Sequence, residues 1–142
     1  MAKRAQVLYW DSSAVLSALF ADSNSLAAQR WSGAKGVHFV STFTIAEVSA
    51  VIHRMKRERL LSETLSQSAF EVLDTGPWRR ISTWPKWEII RSLSAKYPLR
   101  GADLWHLATA KSMNVEFPEL YLLSFDKRLK KAAESESLCN TK

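Results

Sequence analysis

The stretch Val7-Leu8-Tyr9-Trp10-Asp11-Ser12-Ser13-Ala14-Val15-Leu16 decides the fold. Val7 to Trp10 is a short apolar, β-branched and aromatic run without polar alternation, which suits a strand covered on both faces, as in a parallel sheet. Asp11 breaks the run, and Ala14, Val15, Leu16, Ala18, Leu19 and Phe20 then follow with helical spacing. Asp11 therefore stands where a buried strand hands over to a helix. In an open α/β sheet that handover lies at the carboxyl edge of the strands, where ligands bind.

Outward from this stretch, strand and helix signals alternate. Ser23 or Ser25 is placed to cap a second helix through Leu26, Ala27, Ala28 and Trp31, closed by Gly33 and Gly36. Val37 to Val40 reads as a second strand. A long helix from Thr42 carries the stripe Ile45, Val48, Val51, Ile52 and Met55, with Glu47 in its second turn. Ser62 opens a helix that Gly76-Pro77 stops, and Trp78 to Trp84 is either a short exposed strand or irregular. Pro85 starts a helix that ends at Tyr97-Pro98. Asp103 opens the next helix, through Leu104, Leu107, Ala108 and Lys111. Leu120 to Leu123 is the last clear strand, and Ser124-Phe125-Asp126 ends it before the basic helix Lys127 to Ala133. Strands separated by helices imply parallel pairing with crossover connections. The fold expected is α/β, a three-layer α/β/α single domain with a small parallel sheet spanning residues 1–142.

Length and composition agree with one domain. A chain of 142 residues, 46% hydrophobic and 24% charged, has ordinary globular composition and is long enough to bury a sizeable core. The one cysteine, Cys139, lies in a polar tail and excludes an internal disulfide and a cysteine-built zinc site. Asp11, Ser12 and Ser13 divide the first apolar stretch into pieces too short for a signal peptide, and no stretch is long enough to span a membrane. A reducing cytoplasm is the natural compartment. The net charge of +6 fits an anionic partner such as nucleic acid.

Asp11, Glu47, Asp103 and Asp126 all fall where this layout projects side chains toward the carboxyl edge of the sheet. Two like charges about 4 Å apart repel by about 4 kcal/mol at an effective dielectric of about 20. A helix N-terminus returns only about 0.3–1 kcal/mol. Converging carboxylates therefore require protons or a divalent cation. An all-oxygen set with no histidine or cysteine beside it selects a hard ion, Mg²⁺ or Mn²⁺. The competing reading is local: each Asp precedes or opens a helix, where Asp caps are common, and Glu47 is then a solvated helix residue.

The segments Leu8-Tyr9-Trp10-Asp11-Ser12-Ser13-Ala14, Phe43-Thr44-Ile45-Ala46-Glu47-Val48, Leu99-Arg100-Gly101-Ala102-Asp103-Leu104-Trp105-His106-Leu107-Ala108 and Leu123-Ser124-Phe125-Asp126-Lys127-Arg128-Leu129 resemble the acidic motifs of PIN-domain nucleases. In order and spacing they are most similar to VapC toxins of bacterial toxin–antitoxin pairs. The resemblance implies an Mg²⁺-dependent endoribonuclease, a homodimer held inactive by a cognate antitoxin whose tail occupies the active-site groove. It implies that Asp11 and Asp103 are the principal metal ligands, with Glu47 and Asp126 reaching metal directly or through water. Ser124 would supply a hydroxyl that orients a carboxylate.

Two other functions compete. A non-catalytic PIN-like RNA-binding or scaffolding module usually lacks an acidic position, and here none is missing. A phosphoacceptor receiver domain carries an adjacent acidic pair after its first strand, whereas Asp11 is followed by Ser12-Ser13. Of the histidines, His106 alone lies near the acidic positions, and its helical setting suits packing or a core hydrogen bond. Ser12 and Ser13 have no matching Ser-His-Asp context. The basic residues Arg54, Lys56, Arg57, Arg59, Lys127, Arg128, Lys130 and Lys131 suit solvated helix faces and polyanion contacts equally. Trp78, Trp84 and Trp87 match no motif; core packing or a dimer interface is favoured over base stacking.

Overall fold

The computed structural model describes residues 6–139. Among these the elements are β1 (Gln6–Trp10), α1 (Ser12–Leu19), α2 (Ser25–Ser32), β2 (Gly36–Ser41), α3 (Thr42–Arg57), α4 (Glu63–Thr75), β3 (Trp78–Ile81), α5 (Trp87–Lys96), α6 (Gly101–Met113), β4 (Leu120–Leu123) and α7 (Lys127–Ser135). The strands form one parallel sheet in the order β3-β2-β1-β4. The chain builds outward from β1 through β2 to β3 and then returns to place β4 on the other side of β1. The carboxyl ends of β1 and β4 therefore flank a switch point, the place where an open parallel sheet leaves a crevice.

Period-two alternation in β1 divides the interior into two layers. Val7 and Tyr9 face a cluster with Leu93, Leu107, Leu122 and Leu129, contributed by α5, α6, β4 and α7. Leu8 and Trp10 face the other cluster, with Val15, Val48, Ile52 and Leu73 from α1, α3 and α4. Both faces of the sheet are thus covered, and the unbroken apolar run in β1 follows from that. His38, paired in register with Leu8, is a satisfied core histidine: Trp10 Nε1 donates to its Nδ1 at 3.1 Å, and its Nε2 meets Ala34 O at 2.8 Å.

Several boundaries differ from the sequence reading. The residue capping α2 is Asn24, without a side-chain cap bond, because the Ser25 hydroxyl is held by Phe20 O at 2.6 Å and Asp22 N at 2.8 Å. Gly36 opens β2 instead of closing α2. Helix α5 begins at Trp87, not Pro85; Lys86 N, left outside the helix, donates to Ser112 Oγ at 3.0 Å. Cys139 is not in a free polar tail. Leu122 N donates to Leu138 O at 2.7 Å, Leu138 is fully buried, and burial pushes the half-buried Cys139 thiol up to about 11. Among the described residues no helix is long and apolar enough to cross a membrane.

Gly36 has a positive φ of 136°, and a Cβ there would lie 1.9 Å from Gln6 O, its neighbour across the β1–β2 ladder. Gly36→Ala is therefore expected to lower unfolding free energy by about 2–4 kcal/mol, read from urea melts. A change below about 0.5 kcal/mol would contradict this register.

Candidate active site

Asp11 is 2% exposed and follows β1 directly. Its backbone N–H donates to Leu123 O at 3.1 Å, continuing the β1–β4 ladder by one step. Ala14 N donates to Asp11 Oδ1 at 2.9 Å, so the carboxylate caps α1. Ser13 Oγ donates to the same oxygen at 2.7 Å, and Ser124 Oγ donates to Oδ2 at 2.5 Å. Burial pushes the Asp11 carboxyl up from its ordinary value, while these three donors pull it down.

The two serines are themselves held by the turn after β4. Ser13 Oγ accepts from Phe125 N at 3.0 Å, and Ser124 Oγ accepts from Asp126 N at 3.1 Å. Asp126 Oδ1 then caps α7 by accepting from Leu129 N at 3.0 Å. A continuous set of hydrogen bonds thus fixes the relative positions of Asp11 and Asp126.

Glu47 reaches the edge from the second turn of α3, whose start is fixed by Thr44 N donating to Ser41 Oγ at 3.0 Å. Glu47 Oε1 lies 2.6 Å from His106 Nε2. A carboxylate only accepts, so Nε2 is the donor, and Nδ1 faces the Tyr9 hydroxyl at 2.7 Å. Tyr9 also lies 3.2 Å from Ser41 Oγ. The expectation that no histidine stands beside the carboxylates is therefore corrected: buried His106 orients Glu47.

Asp103 lies in the first turn of α6, three residues before His106. Its carboxyl is pushed up, first by desolvation and then by the charges of Asp126 and Asp11, with Glu47 adding a smaller effect and His106 opposing. Asp103 and Asp126 line a cavity of about 400 Å³ with Leu99, Arg100, Lys127 and Arg128. The four acidic positions therefore share one electrostatic field, flanked by three cations. Among the described residues, no three His, Cys, Asp or Glu side chains are grouped so that they could hold a metal ion as they stand. The basic end of α3 lies away from the acidic edge, and Lys56 there pairs with Glu63.

The polar contacts of Ser13 and Tyr9 escaped the sequence reading, whereas His106 makes the core hydrogen bonds its setting suits, with partners that the sequence did not name. The Asp103–His106 spacing of three was the one available signal for the histidine. Of the tryptophans, Trp78 packs edge-on against Trp10 at 5.4 Å, as core packing requires. Trp84 and Trp87 do not pack in the core of this chain; they are 83% and 82% exposed.

A parallel α/β/α domain with Asp11 and Asp126 at the strand ends that flank its switch point is the arrangement in hand, and the chain belongs to the PIN domain family, whose model matches residues 8–135. Ribonuclease VapC35 from Mycobacterium tuberculosis is 47% identical over 53 residues, 35% of this chain and 39% of that relative. The match thus spans well under half of the length of the curated relative. Among solved structures, VapC20 of Mycobacterium tuberculosis, described as a sarcin-ricin loop cleaving toxin, aligns with TM-score 0.59 and 14% identity over 88% of this chain and 94% of its own. PAE2754 from Pyrobaculum aerophilum aligns with TM-score 0.59 and 18% identity over 92% and 87%. VapBC2 from Rickettsia felis, bound to a DNA fragment from its promoter, aligns with TM-score 0.61 and 12% identity over 89% and 93%. At such identities these structures share the fold.

The field on Asp103 is testable through pH. Its folded carboxyl lies above 3.8, so the stability it contributes is full below that value and is lost as pH rises through the raised folded value. Asn does not titrate. In EDTA, Asp103→Asn should gain on the parent as pH rises from below 3.8 to neutrality, by up to about 1 kcal/mol once solvent screening at this half-exposed site is allowed for. Urea melts at stepped pH measure it; a difference that stays constant with pH would mean that Asp103 is outside the field.

Proposed function

We propose that this protein is a metal-dependent endoribonuclease acting as the toxin of a toxin–antitoxin pair, with residues 1–142 forming a single PIN domain. The observation that carries the reading is the placement of Asp103 and Asp126 in one cavity with Arg100, Lys127 and Arg128, at the sheet edge where Asp11 ends β1 and Glu47 is held by His106. Mutual repulsion in an all-oxygen set fits a hard divalent cation, Mg²⁺ or Mn²⁺, which would offset it. Asp11 and Asp103 would hold the ion, with Glu47 and Asp126 completing the set directly or through water. The donor chemistry fits, while the present side-chain arrangement is more open than a finished cage.

When bound, such an ion supplies charge neutralisation at a phosphate and lowers the pKa of a coordinated water. This chain's residues do the rest. Ser13 and Ser124 fix the Asp11 carboxylate so that little ordering is left to be done at the moment of reaction. His106, backed by Tyr9, keeps Glu47 aimed at the edge. Arg100, Lys127 and Arg128 offer counter-charge to the polynucleotide backbone. Hydrolysis then joins a water hydroxyl to phosphorus and breaks the P–O3′ bond, leaving a 5′-phosphate and, after proton transfer to the leaving oxygen, a 3′-hydroxyl.

The names of the relatives, Ribonuclease VapC35 and VapBC2, support an RNA substrate and a cognate antitoxin partner. We take the working state to be a cytoplasmic homodimer. The test is the purified chain, freed of any antitoxin, incubated with structured RNA. The parent should cleave with Mg²⁺ or Mn²⁺ and leave 5′-phosphate ends, EDTA should abolish cleavage, and Asp11→Asn should lose at least about a hundredfold in rate. Full activity in Asp11→Asn would return that residue to helix capping alone. Light scattering and co-purification with the product of the adjacent gene test the dimer and the antitoxin.

A further inference from the structure

The aromatic wall beside the acidic edge takes no part in the proposed cleavage chemistry. Phe43, in the first turn of α3, and Trp105, two residues beyond Asp103 in α6, stack with ring centroids 4.8 Å apart and planes inclined by 20°. Both rings meet His106 edge-on, at 5.4 and 5.6 Å, and His106 is the residue that orients Glu47. The wall is thus continuous with the acidic site. Trp84 extends it outward: Thr42, Phe43, Ser82, Thr83, Trp84 and Trp105 line a cavity of about 320 Å³ that follows the carboxyl ends of β2 and β3. Trp84 is 83% exposed, so a large flat apolar ring faces water at the mouth of the cavity.

The chemistry of this cavity matches a nucleobase. Its body is aromatic, and its rim carries the hydroxyls of Thr42, Ser82 and Thr83, each able to donate or accept at a base edge. No charged side chain lines it. The cations lie on the other side of the acidic site, where Arg100, Lys127 and Arg128 line the cavity of Asp103 and Asp126. A polynucleotide needs both surfaces, cations for phosphates and π faces for bases. A base inside a duplex has its faces covered by neighbours and its pairing edge occupied, so only an unpaired base can enter an aromatic slot.

We propose that Phe43, Trp84 and Trp105 form a base-stacking subsite that receives one unpaired base beside the scissile phosphate. The proposal rests on the nuclease reading above and adds to it the side chains of this chain that would hold a base next to the cut.

The experiment uses the full chain freed of antitoxin, Trp84→Ala and Trp84→Phe, with the substitution at an exposed position where the fold is not at stake. In EDTA, a short unpaired RNA oligonucleotide should quench tryptophan fluorescence, and a blunt RNA duplex should not compete. Trp84→Ala should weaken binding roughly tenfold to a hundredfold, and Trp84→Phe should restore most of it. An abasic ribose at one position of the oligonucleotide should reproduce the loss, with no further loss when combined with Trp84→Ala. With Mg²⁺, the same factor should appear in KM for a looped RNA. Equal RNA affinity in the parent and Trp84→Ala overturns the subsite, whether or not RNA is cleaved. A change of Trp84→Ala from dimer to monomer with RNA affinity intact also overturns it, and assigns the patch to a second copy. Binding that depends on Trp84 in a parent that cleaves nothing upholds the subsite and overturns the nuclease reading.

Discussion

A buried carboxylate at the switch point of the sheet constrains the rest of the structure. Asp11 is 2% exposed, and an ion so placed persists only if nearby donors replace its lost hydration. The replacements come from two distant parts of the chain: Ser13 and Ala14 N in the first turn of α1, and Ser124 after β4. Loss of either hydroxyl leaves the charge under-compensated, at a cost of about 1–3 kcal/mol. Because the serines also accept from Phe125 N and Asp126 N, satisfying Asp11 locks the β1–α1 turn to the β4–α7 turn. The position of Asp126 is therefore a consequence of the burial of Asp11.

Helix capping and a gathered acidic site looked like rival explanations of the same residues, and the geometry makes them compatible. At Asp11 one oxygen caps the helix while the other is held by Ser124. At Asp126 the cap engages Oδ1 and leaves Oδ2 outside the cap. Each helix N-terminus lowers the cost of an anion where it begins, so helices that start at the strand edge are suitable places to bring negative charges together.

What was legible in the sequence was local. The unbroken run Val7 to Trp10 and the change of period at Asp11 mark β1 and α1 because burial on two faces leaves no polar residue to place. Ser62 announces α4 in the same way, through a cap bond to Leu65 N three residues on. The strand order was not legible, since nothing in β4 itself says on which side of β1 it pairs. For His106 a core hydrogen bond was legible but its partners were not, for a related reason: Tyr9 and Glu47 lie 97 and 59 residues away, and one helical turn from Asp103 does not say which way the ring points. Of the tryptophans, Trp78 follows the tendency of large rings to seek the core, and Trp84 and Trp87 do not. Trp84 lies in the connection between β3 and α5, where its neighbour Pro85 is buried and the indole itself stays in water.

The two carboxylates assigned the central role are held in opposite ways, and the difference bears on how a charged ligand could be accommodated. Asp11 is immobilised by three donors in a dry setting, so its position is set before anything binds. Asp103 is half-buried, and its raised carboxyl reflects desolvation and repulsion far more than any favourable contact. A rigid carboxylate supplies a reference point, and a repelled, partly solvated one retains the freedom to move toward a cation that relieves the repulsion. The charge that sets these carboxylates against one another is the same charge that would draw a cation among them.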